Sequence, residues 1–426
     1  MISEGDGGMS LQRLRAGTTT AVLAAFLVVS STFLAGCGQL SSTGTATAGT
    51  CPTQESGVTA KSIKIGLVYP DSGPSGIVST FSGTRSGVEA RIALQNAHGG
   101  VNGRTIDLVW RDDQANAPMF SAVAHDLVDT QKIFGLIAQS IVVSDSAAWL
   151  SVQNVPVTGA ATTADWTRYP NFFDFGNLFN PGAVSTFGDY VQAQGGTKAL
   201  IVADPTFEVF QNLDAKIAPS LRNAGIAVIG TVSYTGTSPA HIAEQLKSSG
   251  ANALVAAVPT SAVLDIYAAA KRLGVKLRVV LGSSIDNSLV AQRGPEMAGL
   301  SFLSSFSPTT SPAMVAYSSV MHTYAPQLAN PYDELALDGY VAADEMIEGL
   351  QRAGACPTRD AFIKSLRQVG AFTGNGLIAP VNLSQPKAPT ICVEFLKVDR
   401  AGGGLTPVPP PATVDQNGFW CGHTIQ

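Results

Sequence analysis

The sequence is poor in charge. Only 13% of its 426 residues are charged, against 45% hydrophobic, and the formal net charge is −5. Such a chain offers no basic surface to a nucleic acid, so no nucleic-acid partner is expected. The five histidines follow no H-E-x-x-H spacing and the five cysteines form no C-x-x-C pair, so we expect neither a bound metal nor a cofactor. A G-x-S-x-G nucleophile elbow is also missing, which argues against a hydrolase.

Only one hydrophobic run stands out, and it lies near the N-terminus. Two arginines precede the apolar residues 21–34, a run shorter than the ~20 residues of a membrane-spanning helix and typical of a secretion signal. It ends in Leu-Ala-Gly-Cys37, which resembles the bacterial lipobox, whose cysteine is diacylated before cleavage. We therefore expect residues 1–36 to be a removed signal peptide and Cys37 to carry a lipid. The first eight residues hold two acidic side chains, so Met9 is a second candidate for the initiator.

A segment poor in apolar side chains follows the predicted lipid site. Residues 37–62 are rich in Gly, Ser, Thr and Ala, and this composition predicts a flexible tether that reaches roughly 25 to 30 Å from the membrane. The rest of the chain is long enough for two compact units at ~150 residues per domain.

Short apolar runs alternate with helical patterns along the rest of the chain. Most of these runs are continuously apolar, as in parallel strands that helices cover on both faces. Helical periodicity is clear over residues 84–97 and 333–353. This order predicts an α/β protein with two doubly wound parallel sheets. The predicted strands are residues 63–69, 106–110, 134–138, 155–157, 199–203, 227–232, 253–258 and 277–281.

Four motifs in this order resemble those of the leucine/isoleucine/valine-binding protein family. They are residues 63–74, residues 87–104 ending in His-Gly-Gly-Val-Asn-Gly-Arg, the pair Asp112-Asp113, and Ala-Ala-Thr at 160–162. The resemblance covers about residues 61–400. It implies the type I periplasmic-binding fold, in which two doubly wound parallel-sheet lobes are joined by a three-crossing hinge.

That fold divides the chain between the lobes in alternating segments. Lobe I is expected to contain residues 63–177 and 305–378, and lobe II residues 178–304 and 379–426. The chain is expected to cross between the lobes near residues 174–182, 302–308 and 376–380.

The expected ligand site lies at the carboxyl ends of the strands. Loops there lead into helix N-termini, whose free N–H groups favour an anion such as a carboxylate. Gly73 would let the chain approach a ligand closely, and the Ser140 and Thr162 hydroxyls would hold a carboxylate, although each hydroxyl is equally a candidate helix N-cap. The candidate contacts are Ser72, Gly73, Gln139, Ser140, Ala160, Ala161, Thr162, Phe207, Glu208, Pro259, Thr260, Ser284 and Asp286.

The resemblance also sets an expected ligand chemistry. The motif that ends at Thr162 matches the family positions that hold the ammonium and carboxylate of an amino acid. Gln139 stands where the family has a serine, and Ser284 stands where it has the carboxylate that pairs with the ammonium. Asp286 or Glu208 is a candidate replacement. Without one of them, an amide or an organic acid is favoured over an amino acid, because a buried ammonium needs a counter-charge.

Four cysteines remain once Cys37 is lipidated, and they allow three pairings into two disulfides, which suit an exported chain. With the lobes assigned as above, Cys51 and Cys356 fall on the outer side of lobe I, and Cys392 and Cys421 both fall in lobe II. We expect Cys51 to pair with Cys356 and Cys392 with Cys421, since a bridge across the lobes would hinder their closure.

The combined pattern predicts a solute-binding protein and not an enzyme. A monomeric receptor, lipid-anchored on the extracytoplasmic face of the cell membrane, would pass a small-molecule ligand to an ABC permease. A ligand-sensing receptor of the same fold is the alternative. An exported enzyme ranks third, because the sequence contains no recognisable nucleophile, base or metal constellation.

Overall fold

A computed structural model gives the fold of residues 51, 55–175, 182–206, 208–283, 285–385, 387 and 389–425. They belong to one compact unit of the chain, which begins at residue 46. The predicted signal peptide and Cys37 lie outside the described residues. The last part of the predicted tether packs against the first strand, since the Lys64 N–H donates to the Gly57 carbonyl oxygen (2.8 Å).

The first sheet is parallel and comes from the N-terminal part of the chain. Among the described residues its strands are β1 (Ser62–Tyr69), β2 (Thr105–Asp112), β3 (Gly135–Ala138), β4 (Val157–Gly159) and β5 (Phe172–Asp174). They lie in the order β2-β1-β3-β4-β5. All their carboxyl ends therefore meet at one edge of this sheet.

The second sheet is mixed. A short strand, β6 (Ala183–Val184), precedes it and pairs with β16 (Thr424–Ile425). The described strands of the sheet are β7 (Lys198–Ala203), β8 (Ala227–Ser233), β9 (Ala253–Ala257), β10 (Val279–Gly282), β11 (Ser301–Ser304), β12 (Cys392–Val398), β13 (Leu405–Pro407), β14 (Asp415–Gln416) and β15 (Phe419–Cys421). Their order is β14-β15-β12-β11-β10-β9-β7-β8, with β13 on β12. Strands β7 to β11 are parallel, and the C-terminal strands add to them antiparallel.

Helices follow most of the parallel strands. They are α1 (Ser75–Phe81), α2 (Thr84–Ala97), α3 (Ala117–His125), α4 (Ser144–Val152), α5 (Asp165–Arg168), α6 (Thr186–Ala193), α7 (Glu208–Asn223), α8 (Pro239–Ser249), α9 (Thr260–Arg272), α10 (Asn287–Met297), α11 (Pro312–Tyr324), α12 (Glu334–Arg352) and α13 (Arg359–Leu366). A π-helical turn (Asp126–Thr130) and a 3₁₀ turn (Gly374–Gly376) complete the set. Within the described ranges, none of these helices is both long and apolar enough to cross a membrane.

Both faces of each sheet are covered by apolar side chains. Ile65 and Leu67 of β1 pack with residues of α2, α11 and α12, whereas Val68 packs on the other side with α3 and α4. In the second sheet, the neighbouring residues Leu200 and Ile201 of β7 likewise pack into two different apolar clusters, one on each face of the sheet. This double cover explains the continuous apolar runs in the sequence, because neither face of a central strand meets water.

The predicted elements agree closely with those observed. Each of the eight predicted strands overlaps an observed strand, and helix α2 occupies the predicted residues 84–97. The prediction lacks β5, β6, β11 and the strands after residue 390. These strands are short or pair antiparallel with distant segments, so local periodicity carries little signal for them.

The chain returns to the first sheet after β11. Helices α11 and α12 pack against α2, and α12 also packs against β4, while β12 again belongs to the second sheet. The two connecting segments run side by side, since Phe306 and Ile378 form an antiparallel bridge and the Ser307 N–H donates to the Leu377 carbonyl oxygen (2.7 Å). The first expected crossing lies mostly outside the described residues, at 176–181. The exact lobe boundaries stay a prediction.

The disulfides have the predicted pairing. Cys51 is joined to Cys356, with their Cα atoms 5.4 Å apart, and Cys392 to Cys421, with their Cα atoms 4.0 Å apart. The first bridge fixes the start of the described chain to the loop after α12, and the second links β12 to β15 within one sheet.

Candidate functional site

The carboxyl ends of β1 and β2 are tied together by one acidic side chain. Asp112 accepts hydrogen bonds from the backbone N–H groups of Asp71 (2.9 Å), Ser72 (3.2 Å) and Gln114 (2.9 Å), and from Ser72 Oγ (2.5 Å). Burial opposes the charge of Asp112, but these donors outweigh burial and lower its pKa. Gly73 has φ +122°, and a Cβ there would lie 2.5 Å from the Gln114 carbonyl oxygen. The fold itself therefore requires this glycine.

The next acidic side chain, Asp113, organises the buried end of β3. It accepts hydrogen bonds from the Ser140 hydroxyl and from the backbone N–H of Ala115 (2.9 Å). The Thr162 hydroxyl in turn donates to the Ser140 carbonyl oxygen (2.8 Å). Burial raises the pKa of Asp113. The structure thus brings Ser140 and Thr162 together, but both hydroxyls already donate within the protein. Asp112 and Asp113 have a structural role here.

Candidates from the second sheet stand at helix N-termini. Pro259 is the N-cap of α9 and Thr260 is its first residue. Asp286 is the N-cap of α10, where its side chain accepts a hydrogen bond from the Leu289 N–H (2.9 Å). This contact gives Asp286 a capping role.

The remaining candidates are placed as follows. Ala161 is buried in the core beside β4, and Ala160 is partly buried. Glu208 is the first residue of α7. Phe207 and Ser284 lie outside the described residues.

A cavity of about 440 Å³ lies beside the two later crossings, and we call it the hinge cavity. One side of it comes from α11, α12 and the loop between them, which pack with the first sheet. The other side comes from α10, β11, β12 and the loop at 403–405, which belong with the second sheet. Its lining residues are Ile285, Val290, Ala291, Ser304, Phe306, Ser307, Thr309, Met314, Ala329, Asn330, Tyr332, Glu334, Leu337, Glu394, Leu396, Gly403, Gly404 and Leu405. None of the described sequence candidates is among them.

Two glutamates from opposite sides line the hinge cavity. Glu394 of β12 is 2% exposed, and its carboxyl contacts no hydrogen-bond donor or cation among the described residues. Burial raises the pKa of Glu394 to about 8. Glu334 of α12 accepts a hydrogen bond from the Ile285 N–H, but its Oε2 is buried without a partner in the described part of the chain. Burial, followed by the charge of Asp338, raises the pKa of Glu334 well above its ordinary value.

The first turns of α12 connect the hinge cavity to the strand ends of the first sheet. Gln139 is buried at the end of β3, and its Nε2 donates to the Asp338 carbonyl oxygen (3.3 Å). Burial, together with the charge of Asp333, raises the pKa of Asp338 to about 8. Glu334 and Asp338 are four residues apart and so share one helix face. The sequence-based prediction missed both, although an acidic pair at this spacing on a mainly apolar helix was an available signal.

A smaller cavity of about 260 Å³ lies beside α7, and we call it the α7 cavity. Its lining includes Ala164 and Thr167 near α5, and Asn212 and Lys216 of α7. Burial lowers the pKa of Lys216 to about 8, against the opposing effect of Asp174. Asn212 Nδ2 is buried without a partner among the described residues. Two hydrogen-bond donors therefore line a cavity that suits an anion.

No metal-holding group of three or more His, Cys, Asp or Glu side chains occurs in the described part of the molecule.

One family model matches most of the chain. It is described as periplasmic binding protein, and it covers residues 62–403, nearly the span over which the motifs carry a resemblance. No curated protein matches the chain.

Solved structures share the fold at low sequence identity. A fatty acid ABC transporter substrate-binding protein from Thermomonospora curvata has a TM-score of 0.69 and 19% identity, covering 84% of this chain and 94% of its own. An ABC transporter solute-binding protein from R. palustris, in complex with benzoate, has a TM-score of 0.67 and 17% identity, covering 86% of this chain and 98% of its own. A branched chain amino acid ABC transporter from Thermus thermophilus, with bound valine, has a TM-score of 0.68 and 18% identity, covering 82% of this chain and 96% of its own. These likenesses concern the fold alone, and the predicted two-lobed fold is confirmed.

Proposed function

Because the chain belongs to the periplasmic binding protein family, we propose that it is an extracytoplasmic solute-binding protein that delivers a small molecule to an ABC importer. The observation that carries the proposal is the hinge cavity, whose lining residues come from elements of both sheets. A solute held there contacts both lobes, so its binding free energy favours the arrangement in which they are close. A permease that docks on this arrangement alone would recognise the loaded, monomeric receptor. The proposed role is binding without catalysis.

The proposed ligand is a small polar or carboxylate-bearing molecule: an amino acid, an amide or an organic acid. The three similar structures are of proteins for fatty acid transport or with bound benzoate or valine, and fatty acids, benzoate and valine all carry a carboxylate. In this chain, Lys216 and Asn212 support carboxylate binding, because they place hydrogen-bond donors at the α7 cavity. The helix N-termini at the strand ends support it as well.

A thermal-shift screen of the full-length protein tests the proposal. The panel contains amino acids, amides and carboxylic acids, and a true ligand at 100 times its dissociation constant stabilises the fold by ~2.7 kcal/mol. Ala291→Trp, which places a large side chain at the hinge cavity, should reduce that stabilisation.

The matched control is Val152→Trp, at a side chain that is 81% exposed and lines neither cavity. It should keep the full ligand response. The proposal fails if no compound of the panel stabilises the protein, or if both tryptophan variants respond as the unmodified chain does.

We propose in addition that a lipid on Cys37 holds the receptor at the extracytoplasmic face of the membrane. The Leu-Ala-Gly-Cys sequence and the Gly/Ser/Thr-rich segment after it support this. Replacement Cys37→Ala should move the protein from the membrane fraction to the soluble fraction and abolish incorporation of labelled fatty acid. An unchanged membrane fraction would contradict the lipid anchor and leave solute binding unaffected.

A further inference from the structure

We propose that the hinge cavity is a cation site, in which Glu394 receives the positively charged head of an organic ligand whose apolar body lies against Phe306, Leu337 and Leu396. This inference rests on the proposed solute-binding function, and for the hinge cavity it favours a cationic solute over a carboxylate-bearing one. It makes an amine a better ligand for this cavity than a simple carboxylic acid.

The carboxyl of Glu394 has no partner from the described part of the chain. This side chain lines the cavity at 2% exposure, and no donor or cation contacts it within the described residues. Other buried carboxyls lie close to cations: Asp344 accepts from Arg91 (2.7 Å), and Asp174 forms an ion pair with Lys387. Glu345, whose oxygens accept no hydrogen bond in the described part of the chain, is within the electrostatic influence of Lys387 and Arg367. A buried acidic group without a partner is costly. A ligand cation would supply the missing partner.

The wall around Glu394 contains apolar and uncharged polar side chains besides Glu334. No Lys, Arg or His side chain lines the hinge cavity in the described part of the chain. The Ser307 hydroxyl donates to the Gly376 carbonyl oxygen (2.7 Å), and Ser304 Oγ accepts from the Phe306 N–H (3.3 Å). An ammonium in this cavity would stabilise the ionised form of Glu394, whereas a carboxylate would find no neutralising cation and would oppose that ionisation.

Glu334 supplies a second carboxyl on the other side of the cavity. Its carboxyl already accepts the Ile285 N–H, while its buried Oε2 has no partner in the described part of the chain. We therefore assign direct contact with the cation to Glu394 and a weaker, through-space contribution to Glu334. The apolar part of the wall, including Leu337 and Leu396, suits a hydrocarbon body.

Calorimetric titration with three probes of equal length tests the inference on the full-length protein. The probes are n-hexylammonium, 1-hexanol and hexanoate, which differ only in the charge and polarity of the head group. We expect hexylammonium to bind at least ten-fold more tightly than hexanol. Glu394→Gln should remove that advantage, and Glu334→Gln should reduce it about three-fold, while hexanol affinity stays unchanged in both.

The matched control is Glu348→Gln, on the same helix as Glu334 but paired with Arg352 (2.6 Å) and away from the cavity. It should leave all three affinities unchanged. Equal binding of hexylammonium and hexanol, or an unchanged hexylammonium affinity in Glu394→Gln, would overturn the cation site. If compounds of the wider panel still bind in that case, the proposed function stands and only this inference fails.

Discussion

The strand-end edge of the first sheet and the hinge cavity both contain acidic side chains, but only the strand-end edge supplies each of them with hydrogen-bond donors. Asp113 accepts the Ser140 hydroxyl and the Ala115 N–H, and Asp112 accepts four hydrogen bonds. Glu394 at the hinge cavity has no such donors among the described residues.

The difference separates structural acids from acids available to a ligand. A carboxyl whose donors come from its own chain holds loops together and has little capacity left. A buried carboxyl without donors weakens the fold unless something else binds it. The two regions therefore differ in whether their carboxyls receive hydrogen bonds from the protein, and not in residue type alone.

Removal of the buried structural acid should have the largest effect. Asp113→Ala leaves the Ser140 hydroxyl and the Ala115 N–H without their acceptor, so we expect a loss of about 3 kcal/mol in the free energy of unfolding. Urea denaturation measures it. Asp107→Ala, at an exposed position of β2, is the control and should change stability by less than about 0.5 kcal/mol. If Asp113→Ala is as stable as the unmodified protein, the difference drawn between the two regions is wrong.

Removal of the unpartnered acid should act in the opposite direction. The pKa of Glu394 is about 8 in the folded protein and about 4.3 in an unfolded chain. Between these values the unfolded chain has lost a proton that the folded protein keeps, so this group's contribution to stability declines as pH rises. Glu394→Gln should therefore gain stability relative to the unmodified protein as the pH rises from 5 to 8.5, by a few kcal/mol at the upper end.

Urea denaturation at both pH values measures this gain. Glu334 and Asp338 also have raised pKa values, so the comparison is between variant and unmodified protein at each pH. An equal difference at pH 5 and pH 8.5 would show that Glu394 does not titrate in this range.

The capping contact of Asp286 should be worth less than either buried acid. Asp286→Ala removes the acceptor for the Leu289 N–H at the start of α10, and a lost N-cap typically costs about 1 kcal/mol. Asp286→Asn, which keeps an acceptor oxygen, should recover most of the stability in thermal denaturation. A loss of ligand affinity in Asp286→Asn at full stability would instead return Asp286 to the ligand site.

Loss of the Ser72 hydroxyl, at the exposed end of the contacts around Asp112, should have the smallest effect on stability. Ser72→Ala removes one donor to Asp112 but leaves three backbone N–H donors in place. Because the site is exposed, we expect a loss of about 0.5 kcal/mol, measured by urea denaturation. A loss as large as that of Asp113→Ala would mean that exposure does not decide the strength of these contacts.

Much of the fold was predictable from the sequence. Continuous apolar runs such as residues 253–258 predicted central parallel strands, because covered sheets bury both faces. The antiparallel addition of β12 to β11 was not predictable in the same way. Its partner lies almost 90 residues earlier in the chain, and local periodicity carries no information about such pairing.

The candidate site was less predictable than the fold. Strand-end position pointed to Ser140, Thr162 and Asp286, whose polar groups proved to hold the protein together. Glu394 escaped notice although it is the only acidic residue in the apolar strand Cys392–Val398. Alternation along a strand places Glu394 and Leu396 on one face, but the sequence does not say that this face borders a cavity.

The sequence by itself determined the central parallel strands and their helical cover, because these depend on short-range hydrophobic periodicity. The tertiary structure alone decided which acidic groups have partners. Hydrogen-bond satisfaction depends on side chains brought together from distant parts of the chain: Asp113 with Ser140 in one region, and Glu334 facing the same cavity as Glu394 in the other.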